Sequence, residues 1–238
     1  MLPLFLADSI FGETVILDGD EGHHAADVVR VRPGEWIRIS NGVSDYVDGV
    51  VESVSRGHVE VKVESRFSLP PAEPRLVVVQ ALAKGDSSNI AVELLTEVGV
   101  DEILPWSSLR SIAKWEGEKI AKGRQRWESI AREATKQSRR ISIPKVGPLH
   151  STNELIARFN SADCVIVLHE SGEQPISEIS RPHEGELLLV VGPEGGIDES
   201  ELSLFRSAGA HIGVLGPTVL RSAHAGGIAA AVLLSSRW

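Results

Sequence analysis

The stretch Val190–Leu202, VVGPEGGIDESEL, decides how the chain is read. An apolar run halts at Gly192-Pro193, turns through Glu194-Gly195-Gly196 and restarts as an acidic segment. Asp198 and Glu201 have the spacing of a capping box, and Ile197 and Leu202 occupy the flanking staple positions. The start of a helix is therefore specified, and GPEGGI becomes a strand-to-helix loop of defined shape. Its three glycines permit positive φ or close approach of a ligand to the main chain. A phosphate cradle is excluded: no Lys-Ser or Lys-Thr follows the glycines, and the spacing G-P-E-G-G is not GxGxxG. Glu194 and the run Asp198-Glu199-Glu201 would also repel a triphosphate. Glycine spacing alone leaves open a tight turn that holds no ligand.

Two neighbouring stretches narrow that choice. HIGVLGPTVLRSAHAGG (211–227) repeats the theme, with a strand, Gly216-Pro217, then Val219-Leu220-Arg221 and a helix of small residues. LHESGE (168–173) closes a third apolar run, DCVIVLHE (163–170). Three consecutive strand ends with small or polar loops build one crevice at the carboxyl edge of a sheet, where open α/β sheets bind ligands. Apolar, backbone-rich walls with few cations suit an adenosine-like ligand without phosphates.

The remaining chain divides in two. Residues 1–68 read as a small β-rich domain with strands TVIL (14–17), WIRIS (36–40), YVDGVVESV (46–54) and HVEVKVES (58–65). HHAADVVRVRPGE (23–35) reads as a short helix closed by a turn at Pro33-Gly34. Residues 69–74, within SLPPAEP, suit an extended linker. From 75 to 238 strands alternate with helices, the pattern of an α/β layer fold with a mostly parallel sheet. Its elements are RLVVVQALA (75–83), a helix capped by Asp86 and Ser87 that stops at Gly99, EILPW (102–106), a long helix over 116–139, a strand ending in KVG (145–147), a helix begun by the Ser151/Glu154 box, and the three strand ends above. A final helix starts near Ser222.

One cysteine, Cys164, excludes an internal disulfide framework and is compatible with a reducing compartment. The N-terminal MLPLFLADSIFGE has no basic flank and is a poor signal peptide. No apolar run approaches the roughly 20 residues of a membrane span. The net charge of −9 opposes a nucleic-acid partner, but its distribution does not. Residues 110–145 carry 11 basic and 4 acidic groups, whereas every other part of the chain is acidic. On the long helix, Ile120, Trp127, Ile130, Ala131 and Ala134 share a face, and Lys and Arg spread over the rest. A solvated helix face accounts for such a run. A one-signed excess in an acidic chain favours contact with RNA phosphates, which give affinity without sequence information. His23, His24 and Asp27 lack a third well-spaced ligand, so no metal is expected.

The ordered set of GPEGG (192–196), LGPTVLR (215–221), HHAADVVRVRPGE, AKGDSSNIAVELLTEVGVDEILPWSSLRS (83–111) and RWESIAREATKQSRR (126–140) resembles the RsmE family over almost the whole chain. The resemblance implies a SPOUT-class, trefoil-knotted α/β methyltransferase domain behind a PUA-like β-barrel RNA-binding domain. It implies S-adenosyl-L-methionine as cofactor and N3 of a uridine in 16S rRNA as target. The assembled small ribosomal subunit is the expected partner, in a cytoplasmic homodimer. A sulfonium donor without phosphates explains why a glutamate is tolerated in the loop.

Carried onto this chain, the expected cofactor contacts are Leu168, His169 and Glu170, then Val191, Gly192, Gly195 and Gly196, then Leu215, Gly216, Val219, Leu220 and Arg221. Arg221 is the first choice for stabilising or orienting the anionic base, the alternative being a structural arginine paired to a carboxylate. The proton acceptor is Glu194, His224 or water. Expected RNA contacts are Arg30, Arg32, Lys84, Arg110, Lys122, Arg126, Arg132, Lys136, Arg139 and Arg140, with Arg38 as a further candidate. Three departures stand out. Arg221-Ser222-Ala223-His224-Ala225 replaces Arg-Thr-Glu-Thr-Ala, Leu94 stands where lysine is common, and Leu2-Pro3-Leu4 lacks an arginine. The lost carboxylate permits a rival reading, a protein that binds RNA and cofactor without methyl transfer.

Overall fold

The computed structural model describes residues 2–237. Met1 and Trp238, the outer limits of the two expected domains, lie outside the described residues. The chain forms two compact units, one comprising residues up to Pro71 with Thr135–Ile143, the other Ala72–Ala134 with the residues from Pro144 on.

The first unit is a five-stranded sheet: β1 (Leu4–Leu6), β2 (Thr14–Leu17), β3 (Trp36–Ser40), β4 (Asp45–Ser55) and β5 (His58–Ser68), in the order β1-β3-β4-β5-β2. Strict alternation gives it one apolar face. Val15, Leu17, Ile37, Ile39, Val47, Val51, Val59 and Val61 are buried together with Phe5 and Ile10. The helix expected over 23–35 starts earlier and ends sooner. Helix α1 (Gly19–His23) runs straight into a wider π-type turn, His24–Val29, closed by Arg30 at φ 61°. The turn at Gly34 is present, at φ 89°. Strand β1 escaped the sequence reading because its three residues, Leu4, Phe5 and Leu6, are all buried and show no alternation.

The second unit is a seven-stranded, all-parallel sheet. Its strands are β6 (Arg75–Ala81), β7 (Glu102–Trp106), β8 (Lys145–Val146), β9 (Cys164–Leu168), β10 (Gln174–Pro175), β11 (Glu186–Val191) and β12 (His211–Val214). The order is β10-β12-β9-β11-β6-β7-β8. Its helices are α2 (Asp86–Glu97), α4 (Thr152–Phe159), α5 (Glu199–Ser207) and α6 (Ser222–Leu234), with α3 (Glu118–Ser138) contributing its residues as far as Ala134. Sheet strands covered on both faces read as continuous apolar runs, and Leu187 to Val191 are all buried.

Both capping boxes form as their spacing predicts: Ser151 with Glu154, and Asp198 with Glu201. Helix α2 departs from expectation. Its N-cap is Gly85 at φ 59°, with no side-chain cap from Asp86 or Ser87. Helix α6 is apolar for most of its length and packs on α2 and the sheet, leaving Ile228 44% exposed. Gly227 permits that approach: a Cβ there would lie 2.8 Å from the Leu94 Cβ. On α3, Trp127, Ala131 and Ala134 are buried, but Ile120 is 40% exposed. Trp115 takes the place expected for it. Its ring lies against Gly123 and meets Trp127 edge to face at 5.2 Å.

Candidate functional site

Strands β12, β9 and β11 are immediate neighbours and run parallel, so their C-terminal loops emerge side by side. These are the loops 169–173, 192–198 and 215–221. The sheet brings together the three stretches singled out by sequence, and β6 adds a fourth loop, Leu82–Gly85, at the same edge.

Each part of the GPEGG loop has its own cause. Gly196 sits at φ 73°, a conformation that a side chain resists. A Cβ on Gly192 would come within 2.7 Å of Ile197 Cγ1. Pro193 is buried, and the Gly196 N–H returns to its carbonyl at 3.0 Å. Glu194 is exposed at the tip, where its Oε1 accepts from the Lys84 backbone N–H at 3.1 Å. Arg110 grips the loop from outside, donating to Asp198 Oδ2 at 3.2 Å and to the Gly195 carbonyl at 3.4 Å. Asp198 is held below the usual carboxylate range by the Ser200 hydroxyl, then the Ser200 N–H and Arg110. Glu201, 1% exposed, accepts from Thr152 Oγ1 at 2.6 Å and from the Leu109 N–H at 3.0 Å. The acidic run after the loop is thus structural: its carboxylates cap α5 and stitch neighbouring segments.

The other loops are barer. Gly216 has no neighbour within 4 Å of a built Cβ and no positive φ, so the fold alone does not require glycine there. Val219 is 80% exposed, and Leu168, Leu215 and Leu220 are half-buried. His169 is half-buried and exchanges a 2.8 Å hydrogen bond with Ser171; Glu170 is exposed. Val191 is buried in β11, so only its main chain can reach a ligand. Arg221 is the exposed N-cap residue of α6, and among the described residues nothing holds its guanidinium. His224 is half-buried one turn later.

Sequence reasoning missed a polar link beneath this edge. Gln80, fully buried in β6, donates to Ser222 Oγ at 3.2 Å, and Ser222 donates to the Gly192 carbonyl at 2.6 Å. The helix that carries Arg221 is thereby tied to the GPEGG loop. A glutamine inside the apolar run RLVVVQALA was the available signal, since a buried polar group needs a partner. Ser222 keeps a hydroxyl where the resembled motif has threonine, while Ala223 is only 5% exposed in place of the carboxylate.

The basic candidates differ in how far they are exposed. Arg126 is exposed, and Lys84 is exposed with only its main chain engaged. Lys122 pairs with Glu118 at 3.2 Å on an open helix face, a pair of little energetic weight. Arg132 is half-buried and Arg139, at φ 55°, is exposed. Arg140 donates to Ser142 at 3.3 Å. Arg30 and Arg32 are exposed. Lys136 does not face solvent as expected: it meets Glu21 at 3.0 Å with 9% of its side chain exposed. Arg38 is likewise spent, in a bidentate pair with Asp48 at 2.6 and 2.7 Å that raises its pKa. Among the described residues no cluster could hold a metal ion, and no helix is long and apolar enough to cross a membrane.

Fold and site define a class. The RNA methyltransferase domain family matches residues 71–234, and the RNA methyltransferase PUA domain matches residues 17–64. Ribosomal RNA small subunit methyltransferase E of Mycobacterium bovis is 43% identical over 99% of this chain and 93% of its own length. The Bacillus subtilis protein of that name is 34% identical, covering 88% of this chain and 85% of its own. The crystal structure of the Neisseria gonorrhoeae ribosomal RNA small subunit methyltransferase E bound to S-adenosyl methionine superposes with a TM-score of 0.87 at 26% identity, covering 100% and 98% of the two chains. The chain belongs to the ribosomal RNA small subunit methyltransferase E family.

Proposed function

We propose that the protein transfers the methyl group of S-adenosyl-L-methionine to N3 of a uridine in 16S ribosomal RNA, acting on the assembled small subunit. The observation that carries this reading is the meeting of three loops from adjacent parallel strands beside an unpaired arginine, Arg221. The residues fit the cofactor's chemistry. Half-buried Leu168, Leu215 and Leu220 supply apolar walls, and the glycines leave main chain open. When bound, S-adenosyl-L-methionine supplies an electrophilic methyl on a sulfonium, and a thioether leaves.

The chain's own groups have three tasks. Leu168, His169 and Glu170, then Val191, Gly192, Gly195 and Gly196, then Leu215, Gly216, Val219, Leu220 and Arg221 orient the donor, and positioning is the largest contribution to rate. Removal of the N3 proton falls to Glu194, His224 or water. Arg221 balances the negative charge left on the uracil ring. Phosphate contacts come from Arg126, Lys122, Arg132 and Lys84, and in the first unit from Arg30, Arg32, Arg139 and Arg140. Arg110 is held by Asp198 and contributes through the loop it steadies. We further infer a SPOUT-type knot around the small-residue start of α6, and a cytoplasmic homodimer in which Ile90 and Ile228, 37% and 44% exposed, are covered.

The test is transfer of labelled methyl from S-adenosyl-L-methionine to small subunits purified from cells lacking this protein, with mass spectrometry of the digested RNA. The expected product is 3-methyluridine at one site. Binding of S-adenosylhomocysteine without any transfer would instead establish the non-catalytic reading.

A further inference from the structure

The RNA-binding role proposed for the first unit has only weak electrostatic support: residues 1–71 and 135–143 together carry 9 basic and 12 acidic groups. Its phosphate contacts work against a net negative charge, so a source of affinity other than charge adds to them. The outer face of β3–β4–β5 offers one. Tyr46 and Phe67 are directly opposed across β4 and β5, and their rings stack at 4.8 Å with an 18° tilt. The Arg38 guanidinium lies 4.4 Å from the Tyr46 centroid, fixed there by Asp48. Arg38, Tyr46 and Phe67 therefore form one column, packed at the arginine end and open at the other. Phe67 remains 43% exposed, and with one face against Tyr46 that exposure belongs to its opposite face and edge. Trp36, 49% exposed, projects from the same face of β3 as Arg38.

The open ring face of Phe67, at the end of a rigid cation–aromatic column, is a surface on which any base can stack without a sequence-specific partner. We propose that Phe67 is a stacking platform for an unpaired nucleobase of the RNA substrate, continuing the Arg38–Tyr46–Phe67 column by one ring. Stacking on an aromatic side chain is worth roughly 1–3 kcal/mol per base and is indifferent to the protein's net charge. The inference rests on the RNA-binding reading of this unit, and it assigns that unit a contact that salt does not weaken.

The probe is a fluorescein-labelled adenine octaribonucleotide, compared with an octamer of the same length made of abasic units, by fluorescence anisotropy on the full chain. The parent protein binds the adenine octamer more tightly. Phe67→Leu keeps apolar volume and loses about tenfold of that preference, Phe67→Trp restores it, and neither changes binding to the abasic octamer. Both variants keep the parent affinity for S-adenosylhomocysteine, and Phe67→Leu lowers Tm by no more than the few degrees that loss of the Tyr46 stacking accounts for. On small subunits, Phe67→Leu raises KM and leaves kcat unchanged. Equal affinity of the parent for the two octamers, or parent-like preference in Phe67→Leu, overturns the platform. Methyl transfer by the parent is measured separately, so either result leaves the enzymatic reading to its own test.

Discussion

The two edges of the parallel sheet carry charge in opposite ways. At the amino edge, the first residues of four neighbouring strands alternate in sign: Glu186, Arg75, Glu102 and Lys145. Arg75 bridges Glu186 at 2.7 Å and also Glu102, Arg158 reaches Glu186 at 2.6 Å, and Lys145 stands 3.5 Å from Glu102. Glu102 and Glu186 are 8% and 13% exposed, so each depends on its partners. At the carboxyl edge, Arg221 has no partner among the described residues, and Glu194, exposed at a loop tip, meets no cation and accepts from the Lys84 backbone N–H. Satisfied charges hold an architecture together. Charges left open at the other end of the same strands are available to a substrate.

Substitutions at the two edges should therefore fail differently. The largest effect is expected at the carboxyl edge. Arg221→Ala lowers kcat by about 10²–10³-fold, the usual loss when a charge-stabilising donor is removed, with no change in Tm. Stopped-time methylation assays and a thermal melt check it together. At the amino edge, Glu186→Gln leaves Arg75 and Arg158 facing a neutral group. Because both arginines are partly exposed, the cost falls below that of a fully buried pair, at about 2–3 kcal/mol in urea unfolding, while kcat at low temperature stays at the parent value.

Next comes the packing that connects the edges. Gly227→Val forces α6 away from Leu94 and destabilises by about 2 kcal/mol, and Leu94→Ala in the same chain recovers little of it, because alanine keeps the Cβ that blocks the approach. The smallest effect concerns pH. Asp198 is depressed in the folded state by Ser200, so its contribution is complete above the ordinary carboxylate range. The contribution disappears as pH falls through the lowered folded value. Asp198→Asn retains a cap but cannot titrate. The Tm gap between parent and variant should shrink between neutral and strongly acidic pH.

Much of the carboxyl edge was legible because its signals are local. The Asp198/Glu201 spacing fixed a helix start, and Gly-Pro at two strand ends marked the loops. The amino edge was not legible. Its alternation of charge exists only in the spatial order β11-β6-β7-β8, which the chain visits out of sequence. Lys136 misled for a related reason. Helical periodicity places it on a polar face, but the chain beyond Ala134 joins the first unit, where Glu21 waits at 3.0 Å. Arg38 repeats the lesson: a basic residue on a strand is free only if the strand beside it brings no Asp48. Ile120 failed through a tertiary substitution, with Trp115 filling the space that its own helix face predicted.

The central claim is that the three loops at the ends of β9, β11 and β12 hold the methyl donor beside Arg221. A crystal structure of the protein soaked with S-adenosyl-L-methionine tests it most directly. The account predicts density for the whole cofactor against residues 168–170, 191–196 and 215–221, with its methyl group facing the Arg221 side. Cofactor density at any other place on the chain, or none at a concentration that saturates binding in solution, would contradict it.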